Sequence, residues 1–199
     1  MTGSAQKVLS EDFYHRETLI VARELLGMRL VRMDHGQRIS GRIVETEAYC
    51  GEEDQGCHCK AGRTPRTQVM YGPPGRAYVY FIYGMHWLLN FVTEPVGQPG
   101  AVLIRGLIPE EGQQLIAARR KGQPENRWLD GPAKICQALA IDGALNGQEA
   151  CCGDGELFVE RTPPPETRRI HSTPRIGLDS VPEPWKSIPW RFFLKGQGN

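Results

Sequence analysis

The tetrad Asp34-His35-Gly36-Gln37 stands between two strand-like runs, Met28 to Met33 and Arg38 to Tyr49. A turn with glycine available for a positive φ, flanked by two such runs, is a hairpin signal. It commits the early chain to antiparallel pairing and makes a sheet the main scaffold. The pattern returns downstream. Arg76 to Tyr83 reads as a strand, Gly84-Met85 can turn it back into Trp87 to Val92, and Ala101 to Leu107 is a further strand. Short strands follow at Glu156 to Glu160 and Arg191 to Leu194.

Helical stretches are inserted between them. In Glu17 to Leu26, Leu19, Ala22, Leu25 and Leu26 fall on one stripe, with Gly27 placed as the stop. Pro109-Glu110-Glu111 opens a second helix that Arg119-Arg120-Lys121 closes, and Gly131-Pro132 opens a third through Ala140. Thr162 to Pro184 is rich in proline and reads as an extended loop covering the sheet. Strands in hairpins with helices between them predict an α+β fold.

With 199 residues and neither repeat nor linker, the chain reads as a flexible stretch over residues 1–12 and a single domain over 13–196. No segment approaches the ~18 apolar residues of a membrane span, and the N-terminus has no apolar run suited to a signal peptide. The expectation is an intracellular protein without a membrane partner, in the cytoplasm or nucleoid of a bacterium or the nucleus of a eukaryote. In such a compartment the six cysteines are expected as thiols. Cys50, Cys57, His58 and Cys59 have no second pair at a zinc spacing, so no metal is expected.

The formal net charge of +1 conceals an uneven distribution. From Gln55 to Thr93 there is neither Asp nor Glu, while Lys60, Arg63, Arg66 and Arg76 lie there beside Tyr71, Tyr78, Tyr80, Phe81, Tyr83, Trp87 and Phe91. A cationic, aromatic stretch in a nearly neutral protein suits phosphates and bases, and it equally suits a β-rich core.

Alternation along a strand puts Ile43, Glu45, Glu47 and Tyr49 on one face. A partly desolvated carboxylate there can take a proton from water; alternatively it faces solvent or pairs with Arg29 or Arg42. Arg105 shares a face with Leu103 in an otherwise apolar strand, and Glu45 or Glu47 is its candidate partner. Tyr83 beside the Gly84-Met85 turn is placed like a wedge that enters a base stack.

The run Gly41-Arg42-Ile43-Val44-Glu45-Thr46-Glu47-Ala48-Tyr49 resembles the signature of the alkyladenine (3-methyladenine) DNA glycosylase family. So do Asp54 with His58, Thr64-Pro65-Arg66, Pro74-Gly75 before Tyr78-Val79-Tyr80, Tyr83-Gly84-Met85, Asn90, Ala101 to Arg105, and Gly131-Pro132 with Lys134. The resemblance runs in order over nearly the whole chain. It implies a single domain with a curved, mostly antiparallel sheet flanked by helices and a protruding β-hairpin that enters DNA.

The implied activity is that of a monofunctional, cofactor-free glycosylase of base-excision repair. It flips 3-methyladenine, 7-methylguanine, hypoxanthine or ethenoadenine out of double-stranded DNA and hydrolyses the N-glycosidic bond with a Glu-activated water. Glu47 matches the general base and Arg105 the arginine that holds the water. Tyr49, His58 and Tyr80 match the aromatic walls, Leu103 lines the pocket, and Asn90 matches the residue that crowds the 2-amino group of normal guanine. Tyr83 matches the intercalating side chain, and Arg66, Met85 and Lys134 are expected DNA contacts, with Lys134 read as a phosphate contact rather than an amine nucleophile. A monomer is expected. The competing readings are a non-catalytic damaged-DNA-binding protein and a metal-dependent hydrolase built on Cys50, Cys57, His58 and Cys59.

Overall fold

A computed structural model describes residues 7–166 and 169–196. Strands β1 (Arg29–Asp34) and β2 (Gln37–Cys50) pair from Asp34↔Gln37 to Arg29↔Arg42. His35 and Gly36 make the turn at φ 48° and 77°, the left-handed conformation that a two-residue hairpin requires. Strands β3 (Ala77–Ile82) and β4 (His86–Val92) form a second hairpin, and β5 (Gly100–Glu111) joins the two. With β6 (Leu157–Glu160) the order is β3-β4-β5-β2-β1-β6. The long strand β2 gives one edge to β5 and divides the other between β1 and β8 (Arg191–Leu194), so the sheet curls. All the pairings are antiparallel, in a single α+β domain.

The main core lies where helices α2 (Thr18–Glu24) and α4 (Pro132–Leu139) cover the sheet. Val21, Ala22, Leu25 and Leu26 pack there with Leu30, Ala48, Leu89, Phe91 and Ile104. The alternate residues of the same strands turn the other way, and Tyr49, Tyr78, Tyr80, Val92 and Ala101 gather in a smaller cluster with Cys57, Cys59 and Met70. Helix α2 ends close to the predicted stop, with Gly27 at φ 87°. Helix α1 (Glu11–Tyr14) precedes it. Of the N-terminal stretch expected to be flexible, residues 1–6 lie outside the described residues, Val8 bridges to Glu160, and Leu9 is fully buried. Among the described residues no helix is long and apolar enough to cross a membrane.

Three expectations are corrected. Pro109-Glu110-Glu111 does not open a helix: β5 runs on to Glu111, and α3 (Gln113–Arg119) starts after Gly112 at φ 71°. Proline is tolerated because β4 pairs with β5 only from Ala101 to Leu103 and does not reach Pro109. Arg29 and Arg42 bind Glu110 while Arg38 and Ser40 bind Glu111, so the two acids serve the sheet. Next, the proline-rich segment is not all loop, because Ile170–Thr173 forms β7 on the outer edge of β8; residues 167–168 lie outside the described residues. Finally, Ile43 does not share the face of Glu47. The register shifts between Ile43 and Glu45, and Ile43 packs in the main core with Ala48.

Candidate active site

The site is assembled across strands. Tyr78 of β3 lies opposite Asn90 of β4, Asn90 opposite Leu103 of β5, Leu103 opposite Glu47 of β2, and Glu47 opposite Arg191 of β8. Directly opposed residues share a face, so these five form one row. Two compensating bulges flank its centre: pairing passes from Ile43↔Leu107 to Glu45↔Gly106 to Thr46↔Ile104, which leaves Val44 and Arg105 as the extra residues. A bulge re-aims a side chain, and here it delivers the Arg105 guanidinium to the carboxylates of both Glu45 and Glu47. Its Nε lies 3.0 Å from Glu45 Oε1 and 3.3 Å from Glu47 Oε1. Arg29 and Arg42, the alternative partners for these acids, are taken by Glu110.

Glu47 is fully buried. The Tyr49 hydroxyl donates to its Oε2 at 2.8 Å, and the backbone N–H of Ile176 donates to its Oε1 at 2.7 Å. Burial pushes the Glu47 carboxyl above its ordinary 4.5, and the opposing pull of Arg105, the Ile176 N–H and Tyr49 does not cancel it. Burial also raises the Tyr49 phenol, with Glu47 adding to the effect, so it stays a hydrogen-bond donor. Glu45 is also held by Arg191, whose Nε lies 2.6 Å from the same Oε1 that Arg105 meets. Of the two acids, only Glu47 combines complete burial with donors from three directions.

Tyr49, Arg105 and Ile176 line a cavity of about 340 Å³, so the Glu47 carboxylate sits one layer beneath the cavity surface. His58, Tyr78, Tyr80, Asn90 and Leu103 line it as well. His58 and Tyr80 touch edge to face with centroids 4.5 Å apart, so these two rings form a corner, with Tyr49 a separate wall. His58 Nδ1 meets the Tyr78 hydroxyl at 3.0 Å, and burial, with Arg66 and Lys60 nearby, lowers its pKa to about 4. The imidazole is therefore neutral at physiological pH. Asn90 is fixed by donating its Nδ2 to the Tyr78 carbonyl at 3.1 Å. A wider cleft of about 770 Å³ is lined by Glu45 and Arg191 and by further charged groups, Glu125, Asp130 and Lys195, with Phe193 as its aromatic ring.

The cysteines do not assemble with His58. Cys57 and Cys59 face each other, with sulfurs 2.7 Å apart, and Cys59 also reaches the Gly51 carbonyl, whereas His58 bonds to Tyr78. Among the described residues no group of three or more His, Cys, Asp or Glu side chains is arranged to hold a metal ion.

Of the expected DNA contacts, Tyr83 lines the cavity, while Arg66, Met85 and Lys134 do not. Tyr83 and Met85 are 79% and 67% exposed at the tip of the β3–β4 hairpin. Tyr83 is held at φ 54°, a strained conformation for a bulky residue and one that concentrates at functional positions. Arg66 lies over the Tyr80 ring at 5.1 Å and reaches the Phe81 carbonyl of the same hairpin. Lys134 stands in the first turn of α4, next to the cavity-lining Pro132 and Ala133, and is paired to Asp130 at 2.6 Å.

Sequence reasoning gave no role to Arg175 and Ile176, which lie in the segment read as a covering loop. Ile176 supplies one of the three donors to Glu47, and Arg175 forms a buried pair with Asp54 behind Tyr49. An arginine in a proline-rich stretch has no periodicity to say where it points.

The curled antiparallel sheet, the ring-walled cavity and the buried carboxylate just behind it define an α+β protein with an aromatic-lined cavity on one face of its sheet. The family follows from comparison of the sequence. The family model for methylpurine-DNA glycosylases matches residues 12–198. A protein of Methanocella arvoryzae is 49% identical over 189 residues, covering 94% of this chain and 92% of its own. A protein of Desulfitobacterium hafniense is 46% identical, covering 95% and 96%, and one of Carboxydothermus hydrogenoformans is 46% identical, covering 94% and 95%. All three are provisionally assigned as 3-methyladenine DNA glycosylases. The chain belongs to the methylpurine-DNA glycosylase family, whose members are hydrolases of N-glycosyl bonds in DNA.

Proposed function

We propose that this chain acts as a monomer that excises damaged purines from duplex DNA by direct hydrolysis, with Glu47 as the general base. The observation that carries this reading is the Glu47 carboxylate, buried behind the wall of an aromatic cavity and braced by Arg105, Tyr49 and Ile176. A base inside a duplex is out of reach, so the damaged nucleotide rotates into the cavity, at least cost when its pairing is already weakened. Tyr83, with Met85 beside it, fills the gap left in the stack, and Arg66 and Lys134 meet the phosphates.

The flipped purine lies between Tyr49 and the His58–Tyr80 corner, with Leu103 against its edge. Neutral His58 adds no repulsion against a cationic N-alkylpurine, whose electron-poor ring suits π-faces. Asn90, unable to swing away from Tyr78, crowds a 2-amino group and so disfavours normal guanine. Glu47 and Arg105 hold a water at the cavity wall, and such contacts tighten when substrate arrives. The water oxygen bonds to the sugar C1′ and gives a proton to Glu47, while the C1′–N bond breaks and its electron pair leaves with the purine. The product is an abasic sugar in an uncut strand. The lesions that fit are 3-methyladenine, 7-methylguanine, hypoxanthine and ethenoadenine.

The test uses duplexes carrying one hypoxanthine or one ethenoadenine, incubated with the protein and then treated with alkali. Cleavage at that position is expected after alkali and not before it. Tight binding with DNA left intact would instead identify a damage-binding protein, and cleavage before alkali would point to an amine nucleophile.

A further inference from the structure

Arg175 is buried deeper than any residue beside it in the β7–β8 connection. Its side chain and that of Asp54 are both 0% exposed, and its two terminal nitrogens reach the two Asp54 oxygens at 2.5 and 2.7 Å. The same nitrogens donate to the carbonyls of Ala48 and Trp185. The guanidinium lies 4.7 Å from the Tyr49 ring centroid and 5.2 Å from that of Trp190. Tyr49 lines the cavity and Arg175 does not, so Arg175 covers the rear face of that wall. Asp54 is tied in turn to the end of β2, accepting from the N–H of Cys50 at 3.1 Å and of Gly56 at 2.9 Å. A Cβ at Gly56 would stand 2.7 Å from an Arg175 nitrogen, so this turn is shaped around the guanidinium.

The next residue along is Ile176, whose N–H donates to Glu47. One rigid ion pair therefore fixes two neighbours of the Glu47 carboxylate: the ring of Tyr49, whose hydroxyl donates to Oε2, and the backbone donor on Oε1. Buried charge pairs are costly to desolvate and add little net stability over apolar packing, so stabilising the fold is a weak reason to keep one here. A bidentate guanidinium does fix direction.

We infer that Arg175, clamped by Asp54, is a positioning residue for excision: it holds Tyr49 from behind and presents the Ile176 N–H, so that Glu47 meets its water at one fixed angle. The inference rests on Glu47 being the base. A carboxylate displaced by about 1 Å costs about 100-fold in rate, even when substrate still binds.

The experiment compares wild type with Arg175→Lys, which keeps the charge and loses the fork, and with Asp54→Asn, which keeps the guanidinium and loosens its grip. Glu47→Gln serves as control. Folding is checked by cooperative melting, binding is measured with a duplex carrying a stable abasic analogue, which needs Tyr83 and the phosphates but not the base pocket, and excision by single turnover on a hypoxanthine duplex across pH. The groups facing Glu47 are Arg105 from β5, Glu45 and Tyr49 from β2, Arg191 across from it on β8, and Arg175 with the Ile176 N–H from the loop.

The expected result is unchanged analogue binding, an excision rate lower by about 100-fold, and an acid limb moved to higher pH because Glu47 loses a donor. A folded variant with wild-type excision, or with an unmoved acid limb, overturns the inference. So does failure of both variants to fold, which makes the pair a strut. Full excision by Glu47→Gln would instead overturn the reading of Glu47 itself, whatever Arg175 does.

Discussion

Two demands meet at Glu47 and burial sets them against each other. A base that takes a proton from water gains from a raised proton affinity, yet it must be ionised at working pH, and desolvation opposes that. Arg105, the Ile176 N–H and the Tyr49 hydroxyl restore part of what burial removes, leaving the carboxyl above 4.5. In the proposed mechanism excision needs the ionised form, so activity is expected at pH above that raised value and lost as pH falls through it. His58 titrates near 4 and is already neutral where this limb lies. Single-turnover rates against pH should therefore keep their acid limb in His58→Gln; a limb that disappears with His58 would transfer the base role to the imidazole. Glu47→Gln should lower excision by about 100- to 10,000-fold while damaged DNA is still bound, because binding rests on other groups. Parallel loss of both would make Glu47 structural. The sequence put Glu45 and Glu47 on one face, and that much holds. What separates them, the Ile176 N–H on one and Arg191 on the other, comes from residues far along the chain.

Among the elements, the β3–β4 hairpin and the bulged strand β5 divide the work. The hairpin was legible because Gly84 beside a strand end is a local signal, and Gly84 does turn at φ 65°. Tyr83 at φ 54° was not legible, since no sequence rule places a tyrosine in left-handed backbone. That strain makes a paired prediction. Tyr83→Ala should weaken capture of the flipped base by about 1–3 kcal/mol, read as the affinity for a lesion duplex. Tyr83→Gly should lose the same capture and yet raise stability by about 1 kcal/mol in denaturant melts, because glycine adopts this backbone freely. A Tyr83→Gly protein less stable than wild type would mean that the ring packs on the fold and not on DNA. In β5 the length was misread because Pro-Glu-Glu is a sound local helix opening; arginines on β1 and β2 and an edge that β4 leaves before Pro109 outweighed it.

Across the whole molecule, the end of the sheet remote from the cavity is joined by an ion-pair network. Lys7, Arg29 and Arg38 meet Glu160, Arg29 and Arg42 meet Glu110, and Arg38 with Ser40 meets Glu111. Burial would raise Glu110 and Glu160, but their basic partners outweigh it, and Ser40 with Arg38 lowers Glu111; all three carboxyls lie below 4.5. For groups depressed on folding, the stabilisation is present above the unfolded value and is lost as pH falls through the folded one. The melting temperature should therefore hold above about pH 5 and fall below about 4.5. Replacing Glu160 by Gln should flatten that fall; an unchanged profile would show that the network contributes nothing measurable.

By itself the sequence determined the hairpins, the helices α2 and α4 and the α+β class, because turn chemistry and side-chain alternation are local rules acting over a few residues; most of the candidate residues came from the family resemblance. Only the tertiary structure decided how those residues meet. The bulges at Val44 and Arg105 break the alternation from which the facing of Ile43 was read. The return of β7 and β8 brings Ile176 and Arg191 onto β2, across 129 and 146 residues of chain. Such contacts are selected by which edge of the sheet remains open and which buried charge lacks a partner, and neither quantity exists until the sheet has formed.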